Sequence, residues 1–126
     1  MIENVQIIVV EDDAGIRKLM TTALSYCVNR EVRAFENGEA AWTFLQRGGL
    51  ADLVVSDVDM PVMNGFELMA RVKEKLPATV VILMSGIEAH ESAAQVNGAD
   101  GFLAKPFDIN LLFEIVQRYV VEQSQA

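Results

Sequence analysis

The sequence has one cysteine, Cys27, and one histidine, His90, in 126 residues. A single thiol cannot form an internal disulfide and fits a reducing compartment, so cytoplasm is the expected location. One histidine cannot build a histidine-rich metal site, and His90 is expected at the surface. No uninterrupted apolar stretch approaches the ~18 residues of a membrane span. The opening Met1-Ile2-Glu3-Asn4 lacks a basic n-region and a long apolar run, so no secretory signal is expected. Neither G-x-G-x-x-G nor G-x-x-x-x-G-K-[ST] occurs, which removes the glycine-rich phosphate cradles of nucleotide-binding modules. Positive charge is also scarce: ten Lys and Arg stand against eighteen Asp and Glu, a net charge of −8. Such a surface repels phosphate backbones, so direct nucleic-acid binding is not expected. With no repeat, low-complexity run or linker, the chain reads as one domain over residues 1–126, with a core of about 5–120 and a tail from 121 to 126.

What the sequence does have is a set of short apolar runs separated by helical patterns. Strand one is predicted over Gln6 to Val10, strand two over Glu31 to Phe35, strand three up to Asp57, strand four over Val80 to Met84 and strand five over Gly101 to Ala104. Ile16, Leu19, Met20, Ala23, Leu24 and Cys27 repeat on a 3.6-residue period and predict a first helix with one apolar stripe, on which Cys27 packs. Asn37-Gly38 opens a second helix that Gly48-Gly49 ends. The run from Asp59 to Gly65 is predicted as an irregular loop, since Pro61 blocks a helix and Gly65 restarts one. A third helix runs to Leu76, before Pro77, and a weaker fourth covers about Glu88 to Val96. Asp108 caps a fifth whose apolar face is Ile109, Leu112, Phe113, Val116 and Val120. Trp42, Phe44, Met20, Met60, Met69 and Met84 are expected to fill the core. Five βα units with right-handed crossovers predict an α/β fold, a single doubly wound five-stranded parallel sheet of flavodoxin-like order 2-1-3-4-5 with five helices.

In a parallel sheet the residues just past the carboxyl ends gather on one rim, where such sheets bind ligands. Here those residues are Glu11 and Asp12 after strand one, Asp57 after strand three, Ser85 and Gly86 after strand four and Lys105 after strand five. Strands one and three are neighbours, so three carboxylates crowd together, and like charges so close raise at least one pKa. A hard divalent cation held by oxygen ligands answers that, and Mg²⁺ suits the set, with Mn²⁺ as a substitute. Acids favoured by the helix dipole would account for Asp12 and Asp13 but leave Asp57, behind an apolar strand, unexplained. A lone strand-end lysine is usually solvated, and a Ser-Gly pair is more often a turn than a site. Together, however, an ammonium, a hydroxyl and a glycine with room for a tetrahedral group suit phosphoryl chemistry.

The order Glu11-Asp12, then Asp57-Val58-Asp59-Met60-Pro61-Val62-Met63-Asn64-Gly65, then Ser85-Gly86, then Lys105-Pro106-Phe107 resembles the receiver domain of two-component response regulators, over Val5 to about Val120. The resemblance, to chemotaxis-regulator-like members, implies that Asp57 accepts a phosphoryl group from a histidine kinase or histidine phosphotransfer protein. It implies that Asp12, Asp57 and the Asp59 backbone carbonyl ligate Mg²⁺, with Glu11 acting through a coordinated water and Asp13 left as a helix N-terminal residue. It implies that Lys105 pairs first with Asp57 and then with a phosphoryl oxygen, that Ser85 binds another oxygen, and that Phe102 is the switch aromatic on strand five. The Asp59 side chain and the bulky Ile87 are expected to tune phosphoryl lifetime. The implied output surface is helix four, strand five and helix five, about Glu88 to Val120, presented to a downstream protein target, a fused output domain or a transient homodimer. The chain is then a regulatory phosphoacceptor rather than an enzyme. Two rivals remain. A degenerate receiver acting as an interaction module would not need the intact acid set. A haloacid-dehalogenase-type phosphatase shares Asp57-Val58-Asp59 but needs its nucleophile on the first strand.

Overall fold

The computed structural model describes residues 5–28 and 32–118, apart from the side chain of Cys27. Glu31, Val120, the tail and the packing of Cys27 therefore lie outside the described residues. The elements run β1 (Ile7–Val10), α1 (Ala14–Val28), β2 (Arg33–Phe35), α2 (Gly38–Gln46), β3 (Leu53–Asp57), α3 (Gly65–Lys75), β4 (Val80–Ser85), α4 (Ala89–Val96), β5 (Gly101–Ala104) and α5 (Ile109–Val116). All five strands are parallel, in the order β2-β1-β3-β4-β5.

The strands read as continuous apolar runs because both faces of the sheet are covered. Side chains alternate across it. Ile7, Val9, Leu53, Val55, Ile82, Met84 and Leu103 meet Met20, Leu24 and Val28 of α1 and Leu112, Ile115 and Val116 of α5. Ile8, Val10, Val54, Val81 and Leu83 meet Ala41 and Leu45 of α2, Leu68, Met69 and Val72 of α3, and Ala94 of α4. Trp42 and Phe44 pack against this second cluster as expected. Met20, Met60, Met69 and Met84 are all buried.

The predicted stripe on α1 is only half right. Met20 and Leu24 are buried, but Ile16 is 38% and Leu19 57% exposed. The helix is rotated toward its polar side. Thr21 Oγ1 and Ser25 Oγ donate to the carbonyls of Arg17 and Thr21, at 2.6 and 2.7 Å, so those hydroxyls need no water. Arg17 itself donates from Nη1 to the Glu11 carbonyl at 2.9 Å. The rotation thus places a guanidinium behind the carboxyl end of β1.

Helix starts follow capping chemistry. Asn37, Asn64 and Asp108 accept from the backbone N–H of Ala40, Glu67 and Leu111 respectively. Gly65 meets a steric demand. A Cβ there would lie 2.4 Å from the Asp57 carbonyl oxygen and 2.9 Å from Val58 Cα. Its own N–H donates to the Val58 carbonyl at 2.9 Å, folding the loop back against β3.

Gly65→Ala should therefore cost about 1–3 kcal/mol through forced backbone movement. A Cβ on Gly86 meets nothing closer than 3.9 Å, so Gly86→Ala should stay within about 0.5 kcal/mol of the wild type. Urea denaturation midpoints compare the two. Equal midpoints would show that the Gly65 contact can relax.

Candidate functional site

Register brings the rim residues together. Val10 is opposite Ser56, so Glu11 emerges beside Asp57. Asp57 pairs with Met84, and Ser85 pairs with Ala104, which sets Ser85 and Lys105 one step further on. Backbone bonds carry the ladder past the strand ends: Val58 N–H to the Met84 carbonyl and Lys105 N–H to the Ser85 carbonyl, both 2.9 Å.

Glu11, Asp12 and Asp57 each offer a carboxylate oxygen, and the three lie within 4.8 Å of one another. Glu11 and Asp57 are buried, while Asp12 is exposed and leaves the cluster open on one side. Lys105 Nζ donates to Glu11 Oε1 at 2.7 Å and lies 3.4 Å from Asp57 Oδ2. The nearer partner is thus Glu11, where the resemblance implied Asp57 alone. Glu11 Oε2 accepts from the Asp13 N–H at 3.2 Å. Asp13 Oδ1 in turn accepts from Ile16 N–H at 2.9 Å, so Asp13 starts α1 and stands apart from the carboxylate set.

The electrostatics reflect crowding. Burial raises the Glu11 pKa most, and the Asp57 charge adds to it, against the lowering pull of Lys105 and the Asp13 amide. For Lys105, burial pulls downward, but the Glu11 hydrogen bond and the Asp57 and Glu11 charges reverse it, so the ammonium is held above its usual range. One ammonium against three carboxylates leaves the cluster short of positive charge. An oxygen-only donor set, partly buried and open on one side, fits Mg²⁺, which keeps several of its waters.

Ser85 is buried and its Oγ has three neighbours: Ile87 N–H donates to it at 3.0 Å, His90 Nδ1 lies at 2.8 Å, and Asp59 Oδ2 at 3.4 Å. His90 is therefore not the surface residue expected. Its ring also meets Phe66 edge-on, with centroids 5.6 Å apart. It and Arg17 are the site residues that sequence reasoning missed. The available signal was spacing: His90 follows Ser85 by five residues, in the first turn of the helix leaving the same rim. Asp59 presents a half-exposed carboxylate to Ser85 and His90, while the Ile87 side chain is 49% exposed. Phe102 is half-buried on β5. It packs against the second core cluster and lines a cleft of about 220 Å³ with Glu91, Ala94 and Gln95 of α4.

The sequence profile described as "Response regulator receiver domain" matches residues 7–117. The chain belongs to the receiver family of two-component response regulators. The receiver is 38% identical over 118 residues to the DNA-binding transcriptional regulator NtrC of Rhizobium meliloti, covering 92% of this chain and 24% of that one. It is 32% identical over 120 residues to the response regulator protein FleR of Pseudomonas aeruginosa, covering 94% and 25%. The chain thus spans about a quarter of the length of these curated relatives. Among solved structures, response regulator DrrB of Thermotoga maritima matches with a TM-score of 0.82 at 32% identity, covering 98% of this chain and 54% of that one. TrrA of the same organism, in complex with Mg²⁺ and BeF, matches at 0.81 and 29% identity, covering 94% and 99%.

The pKa directions set a stability test. A raised Glu11 pKa means the folded protein holds that proton to higher pH than the unfolded chain does. Its contribution is therefore full below the usual carboxylate range and lost as pH rises through the folded value. Lys105, also raised, contributes below the usual lysine range and loses that contribution only in strong alkali. Mg²⁺ should thus raise the melting temperature of the receiver at neutral pH, and raise it less near pH ~5, where carboxylates begin to protonate. Glu11→Gln should melt higher than wild type in the absence of divalent cations. A lower melting temperature for that variant would mean that the Lys105 pair outweighs the burial of charge.

Proposed function

We propose that the receiver takes a phosphoryl group onto Asp57 from a histidine kinase or histidine phosphotransfer protein, and that hydrolysis by water later releases it as phosphate. The observation that carries this reading is the position of the Lys105 ammonium, 2.7 Å from Glu11 and 3.4 Å from Asp57, inside a cluster of three carboxylates. Asp57 attacks phosphorus, the P–N bond to the donor imidazole breaks, and the electron pair leaves with that nitrogen. Phosphoryl transfer asks mainly for positioning and for neutralisation of charge on the equatorial oxygens. Lys105 supplies one positive charge and shifts from Glu11 and Asp57 toward a phosphoryl oxygen. Ser85 donates to another, and Gly86 keeps the approach open.

Asp12, Asp57 and the Asp59 carbonyl would hold Mg²⁺, with Glu11 acting through a water. When bound, the cation supplies the positive charge that three carboxylates and an incoming phosphoryl group require. The complex of TrrA with Mg²⁺ and BeF is consistent with this assignment. A degenerate receiver is not favoured, since the acids, Ser85 and Lys105 all converge. The family is regulatory, and the chain on this reading catalyses only its own phosphorylation and dephosphorylation.

The added charge of about −1.5 to −2 at Asp57 draws Ser85 inward. Phe102, opposite Leu83 in the β4–β5 pair and two residues before Ser85's partner Ala104, then turns toward the space vacated and alters the α4-β5-α5 face. That face would engage a downstream protein target, a fused output domain or a second copy of the chain. The receiver unit on this reading covers residues 1–126, core 5–120, and works in the cytoplasm. Among the described residues no helix is long and apolar enough to cross a membrane.

Acetyl phosphate with Mg²⁺ should label the wild type at one site, and Asp57→Asn should not label. Lys105→Met should slow labelling on the order of 100-fold, the scale for loss of one transition-state donor. Retained labelling in Asp57→Asn would refute the assignment. Asp59→Asn and Ile87→Ala should each change the rate at which label is lost. If both lose it at the wild-type rate, these side chains do not set the lifetime.

A further inference from the structure

Ser85 has one hydroxyl proton and two lone pairs. One lone pair takes the Ile87 N–H at 3.0 Å. Two acceptors compete for the proton: His90 Nδ1 at 2.8 Å and Asp59 Oδ2 at 3.4 Å. With the imidazole proton on Nε2, Nδ1 is the acceptor at the shorter contact and takes the hydroxyl proton in preference to Asp59. The ring is held in place by its edge contact with Phe66, directly after the sterically pinned Gly65. His90 also lies in the first turn of α4, whose N-cap, Glu88, makes no side-chain cap bond. The Ser85–His90 bond is thus a side-chain tie between that uncapped turn and the end of β4.

We propose that His90 is a positioning residue that acts as a latch on Ser85. In the resting receiver the imidazole keeps the only proton that Ser85 can offer to a phosphoryl oxygen. Phosphorylation has to break this bond, and breaking it frees the first turn of α4 from β4. The same hydroxyl therefore senses the phosphoryl group and releases the helix, and His90 weakens phosphoryl binding by the strength of one hydrogen bond. This inference rests on Asp57 being the acceptor.

The test is titration with beryllofluoride in the presence of Mg²⁺, followed by calorimetry, on wild type, His90→Phe and His90→Asn. Phe keeps an aromatic edge for Phe66 but offers no acceptor, whereas Asn places a carboxamide oxygen near the position of Nδ1. His90→Phe should bind beryllofluoride roughly 2- to 10-fold tighter than wild type, the range of one neutral hydrogen bond, and His90→Asn should return to near the wild-type affinity. A merely structural role would weaken binding in both. In ¹⁵N-histidine spectra of the wild type, the Nδ1 resonance should mark a hydrogen-bond acceptor at rest and shift when beryllofluoride and Mg²⁺ are added. Equal or weaker binding by a folded His90→Phe, or an Nδ1 resonance unmoved by beryllofluoride, would overturn the latch alone. A wild type that binds no beryllofluoride would overturn the Asp57 reading and the latch with it.

Discussion

The bond from Lys105 to Glu11, with Asp57 just beyond it, is the interaction on which the rest of the site depends. Both carboxylates are buried at the end of a sheet whose two faces are apolar, so neither can be relieved by solvent as a surface acid would be. One ammonium is too little charge for three acids. The cluster is held together by the fold and remains receptive to a cation. That shortage sets Asp57 apart from a simple structural ion pair, because its partner ammonium is shared with Glu11.

The two layers of helices divide the labour. On one face, α1 and α5 close the sheet with Met20, Leu24 and Val28 inward, and half-buried Arg17 beside them holds the carbonyl of Glu11. On the other, α2, α3 and α4 cover the sheet, and the loop from Asp59 to Gly65 folds back so tightly that only hydrogen fits at Gly65. The start of α3 is thereby locked to the backbone of Asp57. Lys73 and Asp100 form an ion pair at the amino ends of β4 and β5, away from the rim, where the Asp100 carboxylate also accepts from the Val81 N–H. Rigidity lies under Asp57, while the first turn of α4 lacks a side-chain cap bond from its N-cap, Glu88.

Much of this was legible in the primary structure. The continuous apolar strand runs, the Asn37 and Asp108 starts, the Asp59–Gly65 loop and the strand order follow from local chemistry and from the handedness of crossovers. The carboxylate set and Lys105 were legible because a parallel sheet sends every strand end to one rim. His90 was not, since a histidine on a polar helix looks solvated until the distance to Ser85 is known. Leu19 and Ile16 misled for the opposite reason: periodicity shows that a helix is amphipathic but not how far it is rotated on the sheet.

By itself the sequence determined which elements form, which residues could reach the rim, and the membership that the motif run carries. These are properties of spacing, and spacing is a one-dimensional quantity. The tertiary structure decided which oxygen Lys105 prefers, that Arg17 braces Glu11, and that the Ser85 hydroxyl is already engaged by an imidazole. Those outcomes turn on contact distances between side chains from different elements, such as 2.7 against 3.4 Å at Lys105, and such differences exist only after the helices have settled on the sheet.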